Sequence, residues 1–423
     1  MKMKSYRTIL YLTAGLLAIS CDLNKLDNYD APDSALYGVV YDKETGEPVG
    51  SDVINGARIQ VKQVDYDADV VGNTYVNVKN NGEYRDNMLF KGRYRLIPYE
   101  RNFIENEPDT IDINGPTEYD FHVTPYLRFR DPSISLDGEK VVATFRLQNN
   151  VVTELEETPV SKIALLMSKE SAVSNTIRSS SSKVMDYNGT PDQDETMSIS
   201  INLAAHYTDL KPGDRYFFRL AALSSETGAK YNYSEAVRIT IPTLHEEVSD
   251  GAVLSDCEAL SVSGIGAWTG GPNSPALYGF TSTQGDWCVR LDAGNVSTPN
   301  LRYTRVKPVD TGATMDNGVL KFDLYVSDAA SVIAKNTSGQ IELTSSGKAD
   351  SQELTWRVSS LNQTLQDGWN EVALKFSDAA ITGPLNPEMP IDLTAVNFFR
   401  IYMNGTYPEG FYILIDNLRV CKE

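Results

Sequence analysis

The sequence predicts an all-β protein built from three β-sandwich modules in tandem. The chain of 423 residues is long enough for two to four domains, and its composition, 41% hydrophobic and 22% charged, is that of an ordinary globular protein. Short segments in which apolar and polar residues alternate recur from residue 36 to the C-terminus. Such regularly spaced short strands, separated by turn residues, favour sandwiches over other folds.

The charge balance limits the classes of partner. Lys and Arg number 38 against 57 Asp and Glu, which gives a formal net charge of -19. A chain this acidic repels phosphate backbones, so nucleic acid is not expected as a partner. The three histidines, His122, His206 and His245, are too few and too scattered to suggest a histidine-rich metal site or a Ser-His hydrolase.

The N-terminus carries the most specific motif. Lys2, Lys4 and Arg7 precede an apolar run from 9 to 19 that is too short to span a bilayer, and Cys21 follows at once. The segment Ala18-Ile19-Ser20-Cys21 resembles a lipobox. We therefore expect residues 1–20 to be a lipoprotein signal peptide and Cys21 to carry acyl chains that anchor the protein to a membrane. The alternative is an ordinary signal peptide with an incidental cysteine.

Residues 21–35 form an acidic, polar segment that contains Pro32 and predicts a tether. Acidic residues directly behind a lipidated cysteine resemble the surface-export signal of Bacteroidota lipoproteins. That resemblance implies an outer-membrane location facing the cell exterior. No later segment has some 18 consecutive apolar residues, so a transmembrane helix is not predicted.

Residues 36–125 predict the first module. Ala57, Ile59 and Val61 share one face of a strand, and the polar residues between them share the other. The series of strands resembles the transthyretin-like module of bacterial surface proteins and carboxypeptidases, which is not itself an enzyme. Its glycines are explained by turns that need positive φ.

Residues 126–245 predict the second module, with strands such as 141–147 and 163–167. The segment 210–216 resembles the strand entry of a fibronectin type III or immunoglobulin-like sandwich, with Tyr216 placed as a tyrosine corner. A rigid spacer is the expected role, because none of these residues points to a ligand.

Residues 251–423 predict the third module and contain all four tryptophans. Gly368-Trp369-Asn370-Glu371-Val372 and the terminal Ile415-Asp416-Asn417-Leu418-Arg419-Val420 resemble jelly-roll carbohydrate-binding modules of the galactose-binding-like kind. Together with the lipobox and the transthyretin-like start, these motifs make the whole chain resemble a surface glycan-binding lipoprotein of a Sus-type glycan-uptake locus. Within such a locus it resembles the proteins in the SusE/SusF position. The resemblance implies that the protein captures polysaccharide for an importer of the SusC/SusD type.

A sugar site needs exposed aromatic rings beside charged or amide groups. We expect Trp268 to lie in a glycine-rich loop, 264–273. Arg400 and Tyr402 are expected on the outer side of the strand 398–403, as a surface strip beside the strand face that contains Tyr325. The predicted carbohydrate-binding residues are Trp268, Tyr278, Tyr325, Arg400, Tyr402 and Tyr407. A solvated outer sheet face is the alternative for this strip. For Trp268 the alternative is a lid on the core. The remaining tryptophans, Trp287, Trp356 and Trp369, are expected in the core or at its edge.

Asp416 lies between Leu414 and Leu418 on one strand face, so its carboxylate must be compensated. Backbone amides are one means, and a structural Ca²⁺, as in the jelly rolls that the domain resembles, is the other. No other cofactor is expected. Cys257, Cys288 and Cys421 permit at most one bridge, and Cys257 with Cys421 or three buried free thiols are both compatible with the sequence.

Two functions from different classes follow. The first is a non-catalytic surface protein that binds polysaccharide through its third module. The second is a structural or protein-interaction subunit of an outer-membrane complex whose third module docks a protein. An enzyme is not expected, because the paired carboxylates of glycosidases need a cleft and the sequence has no such signature.

Overall fold

The computed structural model describes residues 31–65, 73–104, 106–151, 158–245, 250–383 and 391–423. Strands make up 52% of the structure and helices 5%, and the strands form several sheets, so the prediction of an all-β protein of β-sandwich modules is confirmed. The predicted signal peptide and Cys21 lie outside the described residues. Across the ranges given above, the helices are too short or too polar to cross a bilayer.

The first module packs two sheets around a core that runs from Leu36 to Val123. One sheet has the order β4-β1-β7, with β8 also paired to β1, and the other has the order β3-β2-β5-β6. The strands are β1 (Ser34–Asp42), β2 (Arg58–Gln63), β3 (Thr74–Asn77), β4 (Glu83–Leu89), β5 (Gly92–Glu100), β6 (Asp109–Ile113), β7 (Pro116–Glu118) and β8 (Phe121–Val123). In β2 the predicted alternation holds, since Ile59 and Val61 are buried and Arg58 and Gln60 are half-buried.

The second module packs the sheet β13-β10-β9 against the sheet β12-β11-β14-β15, to which β16 is also paired through β14. The strands are β9 (Leu127–Asp137), β10 (Lys140–Asn149), β11 (Val160–Ser168), β12 (Lys183–Gly189), β13 (Met197–Asn202), β14 (Arg215–Ser224), β15 (Asn232–Tyr233) and β16 (Val237–Thr240), with a 3₁₀ turn at Ala204–His206. The core between the sheets includes Phe145, Leu165 and Phe218, none of which is more than 1% exposed.

The third module is a sandwich of two antiparallel sheets. Its strands are β17 (Ala252–Ser255), β18 (Ser261–Val262), β19 (Gly266–Gly271), β20 (Ala276–Tyr278), β21 (Cys288–Asp292), β22 (Asn300–Val309), β23 (Gly318–Val326), β24 (Gln340–Thr344), β25 (Glu353–Arg357), β26 (Gly368–Lys375), β27 (Ala380–Thr382), β28 (Val396–Tyr402) and β29 (Tyr412–Lys422). Helix α1 (Ala329–Lys335) and the 3₁₀ turns Val358–Leu361 and Phe376–Asp378 connect them. Asp328 begins α1 as its N-cap, since its carboxylate accepts the N–H of Ser331.

The two sheets of the third module have the orders β20-β21-β29-β23-β26, with β17 paired to β29, and β18-β19-β22-β28-β24-β25-β27. We call them sheet A and sheet B. Their inner faces pack together through residues such as Phe322 of β23 and Phe399 of β28, whose ring centroids lie 5.4 Å apart. The outward side chains of β23 and of β28 therefore lie on opposite outer faces of the sandwich.

The modules are joined by buried polar contacts as well as by packing. Between the first two modules, the side-chain amide of Asn232 donates to the backbone oxygen of Asn102 over 2.7 Å. The guanidinium of Arg219 donates across the same boundary to the backbone oxygen of Asn80 over 2.9 Å. Burial lowers the pKa of Arg219 to about 10, which leaves the side chain charged at neutral pH.

The three cysteines in the described ranges, Cys257, Cys288 and Cys421, are free and buried. Cys421 lies on β29, and β17 pairs with that strand, so the first and last strands of the module do lie side by side. Burial raises the pKa of the Cys257 thiol well above its usual range. Cys257 is therefore a protonated core residue and not a nucleophile.

Candidate functional site

The predicted single strip of sugar-binding residues is wrong, because its strands belong to different sheets. Tyr325 lies on β23 of sheet A, whereas Arg400 and Tyr402 lie on β28 of sheet B. In both strands the alternate residues face the shared core, so these three side chains point away from it in opposite directions. One ligand cannot contact both groups across the thickness of the sandwich.

Trp268 is a core residue, so the prediction of an exposed loop tryptophan is wrong. It lies in β19 opposite Tyr303 of β22 and is 4% exposed. Its indole N–H donates to the hydroxyl of Ser255 over 3.0 Å, and its ring packs 4.9 Å from that of Tyr303. The neighbouring glycines do not mark a loop here. A Cβ at Gly266 would lie 2.7 Å from the Tyr303 hydroxyl, so the glycine allows the strand to approach that ring.

Tyr407 is also buried, at 1% exposure, and the prediction of a surface contact is wrong for it too. Its ring stacks on Phe411 with centroids 4.4 Å apart, and its hydroxyl donates to the backbone oxygen of Asn404. The turn that contains it folds back over one end of the core, which the turn residues alone did not reveal.

Arg400 is engaged in an ion-pair network on the outer face of sheet B. Its Nη2 lies 2.7 Å from Oε1 of Glu342, which is fully buried, and 3.0 Å from Oδ1 of Asp350. Glu353 joins them, and the carboxylate oxygens of the three acidic residues lie within 4.8 Å of one another. Because the guanidinium is already paired with two carboxylates, we assign Arg400 a structural role, with Tyr402 half-buried beside it.

The outer face of sheet A carries a continuous row of aromatic and cationic side chains. Its five adjacent strands, in the order β20-β21-β29-β23-β26, contribute one residue each. We call these residues the aromatic face: Tyr278, Arg290, Tyr412, Tyr325 and Trp369. All five are half-buried. They point outward because their strand neighbours, such as Ile413 beside Tyr412, fill the core.

The rings of the aromatic face contact one another in series. Tyr325 lies 5.6 Å from Tyr412 with nearly parallel ring planes, and 5.6 Å from Trp369 with the planes at 81°. The Arg290 guanidinium lies over the Tyr412 ring at 4.0 Å and over the Tyr278 ring at 5.1 Å. Because neighbouring strands are about 4.8 Å apart, the face extends over about 19 Å.

The floor and one wall of this face are also defined. Leu414 is fully buried and lies in register between Arg290 and Tyr325, so it forms an apolar floor. The loop 279–287 folds over the sheet beside it. Its Thr281 hydroxyl accepts the indole N–H of Trp369 over 2.9 Å, which fixes the orientation of that ring.

Asp416 holds the same loop in place. Its fully buried carboxylate accepts the backbone N–H groups of Thr283 at 2.7 Å, Gln284 at 3.1 Å and Asn417 at 2.8 Å. Burial raises the pKa of Asp416 to about 6. The sequence left two ways to stabilise the buried Asp416 carboxylate, backbone amides or a calcium ion, and the structure shows the backbone amides. Oδ2 of Asp416 accepts both of the first two N–H groups and the Thr283 hydroxyl, and calcium needs oxygen ligands and not such donors around it, so this donor set fits amide compensation better than a calcium ion.

The second module supports the loop from its other side. Phe280 and Trp287 pack against the core of the second module, and the Lys183 ammonium lies 5.2 Å from the Trp287 ring. The carboxylate of Asp286 accepts the backbone N–H of Asn202 over 2.7 Å and lies 2.9 Å from Nε2 of His206. The wall of the aromatic face is therefore fixed by two modules at once.

The polar groups of the aromatic face suit an uncharged, hydroxylated ligand. Asp292 balances the charge of Arg290, with Oδ1 2.7 Å from Nη2. Burial, and then a hydrogen bond with Tyr325, raises the pKa of the Tyr412 hydroxyl, and burial raises that of Tyr278. Both hydroxyls stay protonated at neutral pH, so they can donate and accept hydrogen bonds.

Sequence reasoning identified Tyr278 and Tyr325 but missed the other three members of the face. Trp356 is in the core at 4% exposure and Trp369 is half-buried on the edge strand β26, both as expected, but Trp369 was not proposed as a surface contact. Tyr412 stands within a long apolar run that predicts only a buried strand. The alternation along the strand could have identified it. Ile413 and Ile415 face the core, so Tyr412, one position before Ile413, must face outward.

The fold and this face together define an all-β protein of tandem sandwich modules with an aromatic surface on the last module. Residues 34–124 match the family model described as the N-terminal domain of a protein of unknown function, DUF3823, and residues 127–238 match the domain of unknown function DUF3823_C. The chain thus contains the two DUF3823 domains, followed by the sandwich that carries the aromatic face.

Several solved structures are similar to parts of the chain. A Bacteroides uniformis protein provisionally described as carbohydrate-binding is 28% identical over 49% of this chain and 99% of its own, with a TM-score of 0.44. A DUF3823 family protein from Parabacteroides merdae is 24% identical over 50% of this chain and 100% of its own, with a TM-score of 0.41.

A third solved structure is similar over most of the chain. It is SGBP-B from a complex xyloglucan utilization locus in Bacteroides uniformis, 14% identical over 89% of this chain and 97% of its own, with a TM-score of 0.26. All three scores lie below 0.5, a level that does not establish a shared architecture. Comparison with the curated proteins gives no match.

Proposed function

We propose that this protein is a non-catalytic polysaccharide-binding protein and that its aromatic face is the binding surface. The observation that carries the proposal is the row of four aromatic rings and one arginine on five adjacent strands, with Leu414 as its floor. Pyranose rings have an apolar face that packs on aromatic rings and hydroxyls that need polar partners. The Tyr412 ring lies between the Arg290 guanidinium and the parallel Tyr325 ring, which cover its faces. The row therefore offers aromatic edges and hydroxyls at its centre and the rings of Tyr278 and Trp369 at its ends. It runs along about 19 Å, which suits an extended chain of several sugars.

A binding role fits the state of the carboxylates around this face better than catalysis does. Asp416 is buried among N–H donors, and Asp292 is paired with Arg290. Asp323 accepts a hydrogen bond from the Thr283 hydroxyl over 2.6 Å. Glu371, paired with Asp323 across β26 and β23, is an exposed carboxylate beside them. Glycosidases place two carboxyl groups on either side of the scissile bond in a cleft, whereas these groups lie on an open sheet face.

We further propose that the protein acts on the cell surface, anchored through Cys21 to the outer membrane, and presents polysaccharide to an importer of the SusC/SusD type. The support is the lipobox-like Ala18-Ile19-Ser20-Cys21 and the acidic tether that follows it. Each such site should bind weakly, because polar ligands gain little after desolvation, and many anchored copies would restore retention through multivalency.

The test is native affinity electrophoresis in gels that contain xyloglucan, mixed-linkage β-glucan, arabinoxylan or galactomannan. Tyr325→Ala/Tyr412→Ala should weaken retention about 5-fold to 100-fold, since each ring contact is worth about 0.5–1.5 kcal/mol beyond its area. Tyr402→Ala, on the opposite face of the same module, is the matched control and should bind as the wild type does.

Two results would contradict the proposal. The first is a wild-type protein that no soluble polysaccharide retards. The second is loss of retention in Tyr402→Ala while Tyr325→Ala/Tyr412→Ala binds normally. That second result would move the site to the outer face of sheet B.

A further inference from the structure

The first module carries a second exposed group of tyrosines around an arginine. Tyr75 on β3 and Tyr99 on β5 flank Arg58 on β2, the strand between them. The two tyrosines are 37% and 53% exposed. Their ring centroids lie 5.0 Å apart, and the Arg58 guanidinium lies 5.1 Å and 5.8 Å from the two rings.

This triplet repeats the arrangement at one end of the aromatic face. There, too, an arginine on a middle strand, Arg290 on β21, lies over tyrosines on both neighbouring strands, Tyr278 and Tyr412. In each triplet a carboxylate balances the arginine. Nε of Arg58 lies 2.8 Å from Oε2 of Glu100, and Arg290 pairs with Asp292. Two modules of one chain thus present the same three-strand combination of groups.

We propose that Tyr75, Arg58 and Tyr99 form a second contact surface for neutral polysaccharide, so that one glycan chain binds the protein at two places. This inference rests on the proposed function, because it assigns the same class of ligand to both surfaces. It gives the first module a binding role, whereas the sequence analysis placed polysaccharide binding in the third module.

The chemistry of the triplet suits a sugar. Glu100 pairs with Arg58 over 2.8 Å and also lies 3.6 Å from the Lys230 ammonium. The triplet adds to these charges aromatic rings, tyrosine hydroxyls and a side-chain amide. That amide belongs to Gln60, whose Nε2 donates to the Tyr75 hydroxyl over 3.3 Å. Aromatic faces with adjacent hydroxyl and amide groups match the apolar face and the hydroxyls of a pyranose.

The size of the patch argues against a protein partner. A stable protein interface buries about 800 Å² on each side, with an apolar centre. A fully buried aromatic side chain contributes about 150–250 Å², and these two tyrosines are already half covered. The nearest outward neighbours on β2 and β5 are Gln60 and Ile97, which are paired with each other. Lys62, Arg93 and Arg95 follow on the same face, so Ile97 is the one apolar addition among these positions.

The inference is tested with four forms of the full protein in the affinity gels described above. These are the wild type, Tyr75→Ala/Tyr99→Ala, Tyr325→Ala/Tyr412→Ala and the quadruple variant. Tyr207→Ala is a control with a tyrosine of similar exposure, 40%, on the second module. Thermal unfolding of each variant checks that it is folded.

We expect Tyr75→Ala/Tyr99→Ala to weaken retention about 5-fold to 100-fold in the polysaccharide that retards the wild type. The quadruple variant should lose the residual retention of Tyr325→Ala/Tyr412→Ala, because each surface contributes to avidity. Tyr207→Ala should match the wild type.

The outcomes separate this inference from the proposed function. If Tyr75→Ala/Tyr99→Ala matches the wild type while Tyr325→Ala/Tyr412→Ala loses retention, the second surface is overturned and the aromatic face stands. If no polysaccharide retards the wild type, both fail. If Tyr75→Ala/Tyr99→Ala alters only pull-down of the protein with a solubilised outer-membrane fraction, the triplet binds a protein, and the inference is overturned.

Discussion

Arg128 of the second module and Asp42 of the first form a buried, two-point ion pair, in which Nη2 lies 2.7 Å from Oδ1 and Nε also contacts Oδ2. Both side chains are only 6% exposed. Arg128 also donates to Glu44 over 2.6 Å. The pair lies where β1 ends and β9 begins, so it fixes the direction in which the chain passes from one module to the next.

Removing one partner of this pair should destabilise the protein strongly. Arg128→Met leaves the Asp42 carboxylate buried with the Glu44 N–H as a donor but without a counter-charge, and the expected loss is about 3–5 kcal/mol in the free energy of unfolding. Asp42→Asn/Arg128→Met should recover part of that loss, because no charge then remains buried. Urea unfolding followed by far-ultraviolet circular dichroism, which reports on the strands of all modules, measures both.

A surface pair provides the control for this prediction. Lys79 and Glu83 lie 3.7 Å apart and are 51% and 54% exposed, so Lys79→Met should cost less than about 1 kcal/mol. Equal losses in Arg128→Met and Lys79→Met would show that the buried pair does not hold the two modules together.

The joint between the second and third modules should make stability depend on pH. Glu258 Oε1 accepts the N–H groups of Asp286 and Trp287, each over 3.0 Å. Burial, and then the negative charge of Asp286, raises the pKa of Glu258 to about 8 from 4.5. Other charged groups near this joint are Lys183 and Asp416.

The sign of the effect follows from that pKa. Between about pH 4.5 and pH 8 the unfolded chain loses the Glu258 proton and the folded protein keeps it, so stability falls as pH rises and levels off above pH 8. Glu258→Gln keeps an acceptor for both N–H groups but carries no charge. It should raise the melting temperature by several degrees near pH 8.5 and leave it nearly unchanged near pH 4.5.

The matched control for this pH dependence is Glu371→Gln, an exposed carboxylate on β26 of the same module. Its melting temperature should follow that of the wild type at both pH values. A Glu258→Gln variant that is stabilised equally at both pH values, or destabilised near pH 8.5, would contradict the assigned pKa.

The proposed lipid anchor at Cys21 makes its own prediction. Cys21→Ala should remain uncleaved or become soluble, since diacylation of that thiol is the step that would precede signal-peptide removal. Metabolic labelling with an alkyne fatty-acid analogue should mark the wild type and not the variant. Labelling of Cys21→Ala at the wild-type level would exclude this anchor.

The sequence predicted the strands well where one side of a strand faces a core. In β23 the alternation of Leu320, Phe322 and Leu324 with polar residues is enough to say which side is buried. Local periodicity does not reveal which strands become neighbours. β23 and β28 have the same kind of pattern, and only long-range pairing separates them into sheet A and sheet B.

The same limit explains which site residues were missed. Tyr278 and Arg290 are on strands paired antiparallel, but Tyr412 comes from 122 positions beyond Arg290 in the chain, so no local pattern joins the three. Glycine was misleading for Trp268, because Gly266 and Gly270 lie in a strand that packs closely on its neighbours. The sequence predicted the kind of side chains at the site, aromatic rings beside an arginine, but not which strands bring them together.

Trp268 and Trp369 give the sharpest test of the aromatic face as the binding surface. Trp268, expected as a contact, is 4% exposed in the core and donates its indole N–H to Ser255. Trp369, expected in the core or at its edge, is half-buried on the edge strand β26, where it belongs to the aromatic face and is held by Thr281. Substitution of each should therefore affect a different property.

Trp268→Ala should cost about 3–5 kcal/mol in the free energy of unfolding, because it opens a cavity between β19 and the rest of the core. The protein that remains folded should still bind polysaccharide with unchanged affinity per folded molecule. Trp369→Ala should do the opposite, with a melting temperature within a few degrees of the wild type and retention in affinity gels weakened by about 2-fold to 10-fold. A Trp268→Ala protein that is stable but no longer binds polysaccharide would place the binding site in the segment 264–273. It would contradict the proposal that the aromatic face is the binding surface.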